Sequence, residues 1–462
     1  MGEAIHPETA RLTSRSIGHA LRDLSLPLVL SSGLLTSYQL VNTFWVGRLG
    51  SAALAGVSVS FPVIFLLVCL GGGLAVAGSI LVAQYAGACD SAMLRHVAAQ
   101  ALLSVVAVAL LFSIVGWFGA SYLLRLMDGR LETLEQSTRY LKVSCLSIVF
   151  VFIFEMCQSI LRGIGVVRPP FYIMTCSVAL NLILDPVFIF GLKPIPAGGV
   201  VGAAYATLLT QALTAAASLW ILFRTHYGVR FRFMDFSPCL STITRIVRLG
   251  TPAALEQSIS ALGLSVLTTI VSGFGTTALA AYGVAFRVFL VAIIPALGIS
   301  MATTTLVGQT LGAGQILRAK QSAAVSAWYA FWILTVIAAP VFACAGPIVG
   351  FFAPHDRDVI LDGATALRFM ALSFGSIGVY FSLLGSLRGA GDTLVPMILT
   401  FTAIWIIQIP VAYVLGHFTS LAATGLWCSF PISDFLTALL AIRQLNVHAW
   451  RQVPSQRVAE EV

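Results

Sequence analysis

Twelve apolar runs follow one another along the chain, and each is long enough to cross a bilayer as a helix of about 20 residues. They fall at roughly 24–46, 53–86, 94–120, 139–163, 169–191, 200–223, 250–273, 278–311, 319–345, 365–388, 394–416 and 420–443. The second and eighth are overlong and interrupted by glycines and by Pro62 or Pro295, which leaves their ends open. Composition agrees: 58% of the 462 residues are hydrophobic and 10% are charged. A soluble protein carries about 25% charged residues, so an ordinary cytosolic enzyme is excluded. The polar, basic stretch 1–23 leads into a run too long for a signal-peptide core, which reads as an uncleaved first helix. The chain is expected to be an all-α polytopic membrane protein.

An even number of spans puts both termini on one side, and the basic residues choose the side. With the N-terminus inside, 17 Lys and Arg fall in inner segments and 8 in outer ones, and Arg287 is left within a span. This favours cytoplasmic termini in a plasma (bacterial inner) membrane, and it accounts for the excess of 26 basic over 18 acidic residues without nucleic acid. The eight cysteines form no C-x-x-C pair and no metal-ligand spacing, so they read as small apolar side chains.

The basic connection 224–249 divides the chain into halves that repeat each other. A shift of 225 superposes Pro27 on Pro252, Gly50 on Gly275, Leu54-Ala55 on Leu279-Ala280, Gln84 on Gln309 and Gly87-Ala88 on Gly312-Ala313. A shift of 226 superposes Leu161-Arg162-Gly163-x-Gly165 on Leu387-Arg388-Gly389-x-Gly391, and Pro170 on Pro396. Each half holds an even number of helices, so the two share one orientation and are expected as six-helix bundles related by a pseudo-twofold axis along the membrane normal. The domains then read as a segment 1–23, an N-lobe 24–223, the loop 224–249, a C-lobe 250–443 and a tail 444–462.

Several stretches carry a resemblance to the MATE (multidrug and toxic compound extrusion) family over nearly the whole length. They are Val41-Asn42-Thr43-Phe44-Trp45-Val46-Gly47-Arg48-Leu49-Gly50, Ala53-Leu54-Ala55, Ala83-Gln84-Tyr85-Ala86-Gly87-Ala88, the two Leu-Arg-Gly-x-Gly signatures, and Asn181-x-x-x-Asp185-Pro186. Gly250-Thr251-Pro252-Ala253-Ala254-Leu255-Glu256-Gln257 resembles the start of the seventh helix in the prokaryotic DinF-like branch. The resemblance implies a V-shaped pair of bundles and export of organic, often cationic compounds, driven by inward flow of H⁺ or Na⁺. It implies no cofactor beyond that coupling ion. The expected partners are small-molecule substrates and membrane lipids, with the chain acting as a monomer.

A charge in hydrocarbon is costly, so ionisable groups within spans are functional candidates. They are Glu155, Asp185, Glu256, Asp434 and Arg287. Asp185 is followed by Pro186 and stands one turn after Asn181, so the two side chains share a helix face. The proline frees a carbonyl near residue 182, adding an oxygen to a hard-cation or proton site; the alternative is a kinked helix whose Asp bonds a neighbour. Their counterparts in the repeat are Ile407 and Val411, so the fold does not demand their polarity. The resemblance adds Tyr38 and Thr207 to this site, with Asn42 where relatives carry a first-helix acid. Asparagine cannot titrate, so Asp185 or Glu155 must bear the charge. Glu155 can replace the missing acid or pair with Arg162. Glu256 can pair with Arg287 at a comparable depth or form a second charged site that binds substrate or protons. Asp434 reads as structural.

A lipid-linked oligosaccharide flippase would line its cavity with several arginines, but only Arg287 is mid-span. A membrane-embedded enzyme would need H-E-x-x-H, G-x-S-x-G or paired aspartates, which are absent. The expected function is secondary-active efflux by alternating access.

Overall fold

With no water in the bilayer core, each backbone N–H and C=O must be bonded within the chain, and for these runs the solution is helical. A computed structural model describes residues 12–49, 51–127, 134–191, 196–224, 229–354, 356–419 and 423–447, and no strand occurs among them. Gly50 and the orientation-setting Arg11, Arg130, Lys193, Arg451 and Arg457 lie outside the described residues.

The helices are α1 (Ile17–Gly47), α2 (Ser51–Gly87), α3 (Ser91–Met127), α4 (Leu134–Gly163), α5 (Arg168–Phe190), α6 (Gly199–Arg224), α7 (Leu240–Ser272), α8 (Thr276–Ala292), α9 (Ile294–Gly312), α10 (Ile316–Ala343), α11 (Ala345–Phe352), α12 (Arg357–Leu372), α13 (Phe374–Gly389), α14 (Leu394–Phe401), α15 (Ile409–His417) and α16 (Ala423–Val447). Among the described residues 11 helices can cross a membrane, or 12 when α12 and α13, bent by 48°, form one span. Three details differ from the apolar pattern. The second run is not interrupted and forms the single helix α2. The eighth breaks at Ile293, where Pro295 opens α9. The tenth breaks at Ser373, where no proline marks the sequence.

The chain forms two compact units, one of Leu30–Ala254 and one of Thr9–Val29 with Leu255–Val462. In the first unit α4 packs against α2, α3 and α6, and α5 packs on α6. Its core includes Leu81, Leu141, Ile148, Phe152, Met156 and Ile160, all nearly inaccessible. In the second unit the counterpart of α4 is the bent pair α12–α13, packed on α8, α9, α10 and α16. The internal repeat is therefore a repeat of packing within each unit.

The Leu-Arg-Gly-x-Gly signatures show why. A Cβ on Gly163 would meet the Ser79 carbonyl at 3.0 Å, and one on Gly389 would meet that of Thr304 at 2.6 Å. Both glycines let two helices touch through their backbones. Two residues on, Gly165 (φ 90°) and Gly391 (φ 88°) adopt left-handed backbone that costs an L side chain about 1–2 kcal/mol. Each helix closes with a bond back five residues, Val166 N–H to Leu161 C=O (2.8 Å) and Asp392 N–H to Leu387 C=O (3.1 Å).

Between α6 and α7 the described chain makes a 3₁₀ turn, Phe233–Phe236, seated on α3. Fully buried Gln100 holds it: its Nε2 donates to the carbonyls of Asp235 (2.9 Å) and Ser237 (2.7 Å), and its Oε1 accepts from Cys239 N–H (3.0 Å). Asp235 also pairs with Arg95 at 3.7 Å. At the end of the turn the Cys239 thiol is held down to about 6 by hydrogen bonding with Ser241 first, then Thr242 and His96. A lowered thiol is ionised above that pH and protonated below it. We predict that alkylation of Cys239 by iodoacetamide, followed by peptide mass spectrometry, rises through about pH 6 and levels by about pH 7. A midpoint near the ordinary thiol value of about 8.5 would show that the turn is not latched this way.

Candidate functional site

Asn181 and Asp185 lie on the face of α5 turned into the first unit, and both are fully buried. The face is fixed by spacing: Met174, Ser177, Asn181, Asp185 and Ile189 recur every three to four residues and are its buried positions. Asn181 Nδ2 donates to Asp185 Oδ1 at 3.1 Å. That bond occupies one of the two carboxylate oxygens and leaves the amide oxygen unused. Asn181 Oδ1 and Asp185 Oδ2 are buried and lack a hydrogen-bond partner. Two such acceptors on one helix face could take a proton or a cation.

Helix α6 supplies the opposite wall. Thr214 Oγ1 donates to Ser177 Oγ (2.8 Å), and a Cβ on Gly202 would strike the Phe188 carbonyl, so the two helices run close beside Asp185. From α1, Tyr38 donates its hydroxyl to Thr207 Oγ1 of α6 at 3.4 Å and is near enough to Asp185 to interact with its charge. Tyr140 of α4, bonded to Ser144, also reaches the Asp185 charge, and Gln211 bonds Tyr38. The spacing of apolar residues gave no reason to single out Tyr140 or Gln211. Asn42 is half-buried on α1, one turn beyond Tyr38. Tyr38, Thr207, Asn181 and Asp185 are thus brought together, and Asn42 shares the face of Tyr38.

Glu155 is not brought to this cluster. It lies 15 residues beyond Tyr140 on the same helix, about 22 Å away at 1.5 Å per residue. It faces Arg162 closely enough for a Coulombic interaction, while that guanidinium donates to Ser159 Oγ (2.7 Å) and Ser79 Oγ (3.3 Å).

The second unit corrects the expected Glu256–Arg287 pair. Arg287 is exposed on α8, and Glu256 pairs instead with Arg388 of α13, Nη2 to Oε1 at 2.5 Å. Arg388 belongs to the repeated Leu-Arg-Gly signature, and equality of depth had suggested the wrong arginine. Depth along a helix does not fix which face a side chain takes. Thr400 donates to the same carboxylate oxygen (3.2 Å) and bonds the Tyr380 hydroxyl (2.8 Å). Glu256 Oε2 and Asp434 Oδ2 are buried without hydrogen-bond partners. Asp434, expected to be structural, lies within Coulombic reach of Tyr380 and beside Ser373, where the α12–α13 span breaks. The first unit has no equivalent acid, because the counterpart of Glu256 is Ser31.

Comparison with known proteins fits this geometry. The MatE family profile matches residues 27–187 and again 252–414, two segments whose starts are 225 residues apart, the shift of the internal repeat. The chain belongs to the MATE family. It is therefore a membrane transporter and not an enzyme. It is 28% identical to the probable multidrug resistance protein YoeA of Bacillus subtilis, over 98% of each chain. It is 25% identical to an FAD transporter of Shewanella oneidensis, over 93% of this chain and 94% of that one. An outward-facing multidrug resistance MATE transporter of the MOP superfamily superposes with a TM-score of 0.90 at 26% identity, over 97% of this chain and 99% of that one.

Removing one partner of a largely buried ion pair strands the other charge, at a cost of about 3–5 kcal/mol when burial is complete. Arg388 keeps about a fifth of its side chain exposed, so we predict a loss of about 2–3 kcal/mol for Glu256→Gln, read as a lowered melting temperature in detergent. Glu256→Gln with Arg388→Gln should recover part of it. An unchanged melting temperature in the single variant would remove the pair from the account of the second unit.

Proposed function

We propose that this transporter exports organic, cationic or amphipathic compounds in exchange for H⁺ or Na⁺ by alternating access, with Asp185 as the group that carries the coupling charge. The observation that supports this most is the pair of buried, unpartnered oxygens on Asn181 and Asp185. A carboxylate and an amide oxygen on one helix face suit a hard cation or a proton. Tyr38 and Thr207 close the site from α1 and α6, and Asn42 offers a further neutral oxygen without a titrating group. Asp185 accordingly works without a first-helix acid. The multidrug names of several relatives support the substrate class, and the basic connection between the halves supports cytoplasmic termini in a bacterial inner membrane. On this reading the chain works as a monomer, and Glu256 with Arg388 forms the second charged site.

The experiment is efflux of a fluorescent organic cation from inverted vesicles, with proton and sodium gradients imposed separately. Wild type should respond to one gradient. Asp185→Asn should lose that response by at least tenfold while its melting temperature and membrane insertion stay near wild type. Asn42→Asp adds an anion beside Asp185 and should strengthen any sodium dependence. Wild-type rates in Asp185→Asn, under both gradients, would remove Asp185 from the coupling site.

A further inference from the structure

The turn between α6 and α7 has two unlike faces. Its inner face is aromatic and packed: Phe231 and Phe236 lie against the first unit's core and against Phe223, at ring distances of 4.9 and 6.1 Å. Its outer face holds Phe233, 97% exposed, and Met234, 81% exposed, the first of these being more exposed than any other large apolar side chain described. They are flanked by exposed Arg230 and Arg232. Asp235 is the one acid between Val229 and Leu240, and it turns inward to Arg95. The outward face is thus apolar at its tip and positive at its flank.

The Gln100 and Arg95 latches hold the base of this turn, and from that base Phe233 and Met234 stand exposed. Its position is equally fixed by the chain. Helix α6 ends at Arg224, Phe231 and Phe236 lie against its Phe223, and the turn is seated on α3, so it sits at the end of the α6 span where hydrocarbon gives way to headgroups. A protein partner is a poor match. Two such side chains offer about 300–400 Å², against about 800 Å² per partner in a stable interface. A bilayer surface needs no such area. It accepts an apolar tip at the acyl boundary and, when anionic, attracts each nearby arginine by about fivefold in affinity.

The geometry points to segment 229–240 as a membrane-surface anchor, which seats Phe233 and Met234 below the headgroups and binds anionic phospholipid headgroups through Arg230 and Arg232. This is separate from the coupling site, and it holds whichever ion drives transport.

The test places the full-length protein in nanodiscs of phosphatidylcholine with increasing fractions of phosphatidylglycerol, and follows amide hydrogen exchange of peptides covering 229–240. Exchange in wild type should slow at least fivefold as phosphatidylglycerol is added. In Arg230→Gln with Arg232→Gln, the fraction giving half of that protection should rise at least fivefold, or protection should not be reached. In Phe233→Ser with Met234→Ser, exchange should stay fast at every composition. Both variants alter exposed positions, and unchanged alkylation of Cys239 will report that the latch is intact. Exchange that ignores phosphatidylglycerol in wild type would overturn the proposal, as would wild-type behaviour in either variant.

Discussion

Everything in this chain answers to the cost of placing a polar or charged group in hydrocarbon. For the backbone the cost is met by helix bonds, which is why the described chain is helical and why the irregular stretches are short. For side chains it is met by pairing. Arg162 gathers two serine hydroxyls, and Arg388 takes Glu256 with Thr400 and Tyr380 behind it. Against that background the exceptions stand out. Asp185 Oδ2, Asn181 Oδ1, Glu256 Oε2 and Asp434 Oδ2 are buried oxygens with no hydrogen-bond partner, and three of the four belong to carboxyl groups.

The two units solve the same packing problem with the same residues and then diverge in their chemistry. Glycines at equivalent places let equivalent helices cross, and both Leu-Arg-Gly-x-Gly signatures end in the same left-handed turn. The polar residues do not repeat. Asn181 and Asp185 face Ile407 and Val411 in the alignment of the halves, and Glu256 faces Ser31. A duplicated scaffold leaves such positions free to specialise, since neither half needs the other's charge in order to pack. In the second unit the span that carries Arg388 also breaks, at Ser373 beside Asp434. A π-helical stretch, Thr402–Gln408, interrupts the next span, where Ser433 bonds the Ala403 carbonyl. Such bulges often accompany functional sites.

Much of this could be read in the amino-acid sequence, because run length and repeated motifs are local signals. The helices and the pairing of Asn181 with Asp185 one turn apart follow from spacing. The break at Ile293 does not, because Pro62 and Pro295 mark the two overlong runs alike, yet the first run continues as α2 and only Pro295 opens a new helix. What spacing cannot convey is the rotation of one helix against another. Depth matched only Arg287 to Glu256, and only packing shows that Arg287 faces outward while Arg388 reaches the carboxylate. Tyr140, Gln211, Tyr380 and Thr400 belong to the two clusters, yet each looks in sequence like any other polar residue in a span. The break at Ser373 was likewise invisible, for it has neither proline nor a long polar gap.

The central claim is that the carboxyl of Asp185 changes its proton or cation occupancy during transport. Infrared difference spectroscopy on the reconstituted protein, stepping pH or sodium, observes this directly through carboxyl bands. The account predicts a carboxyl signal in wild type that disappears in Asp185→Asn and persists in Glu256→Gln. A signal unchanged in Asp185→Asn and lost in Glu256→Gln would contradict it and would move the coupling charge to the second unit.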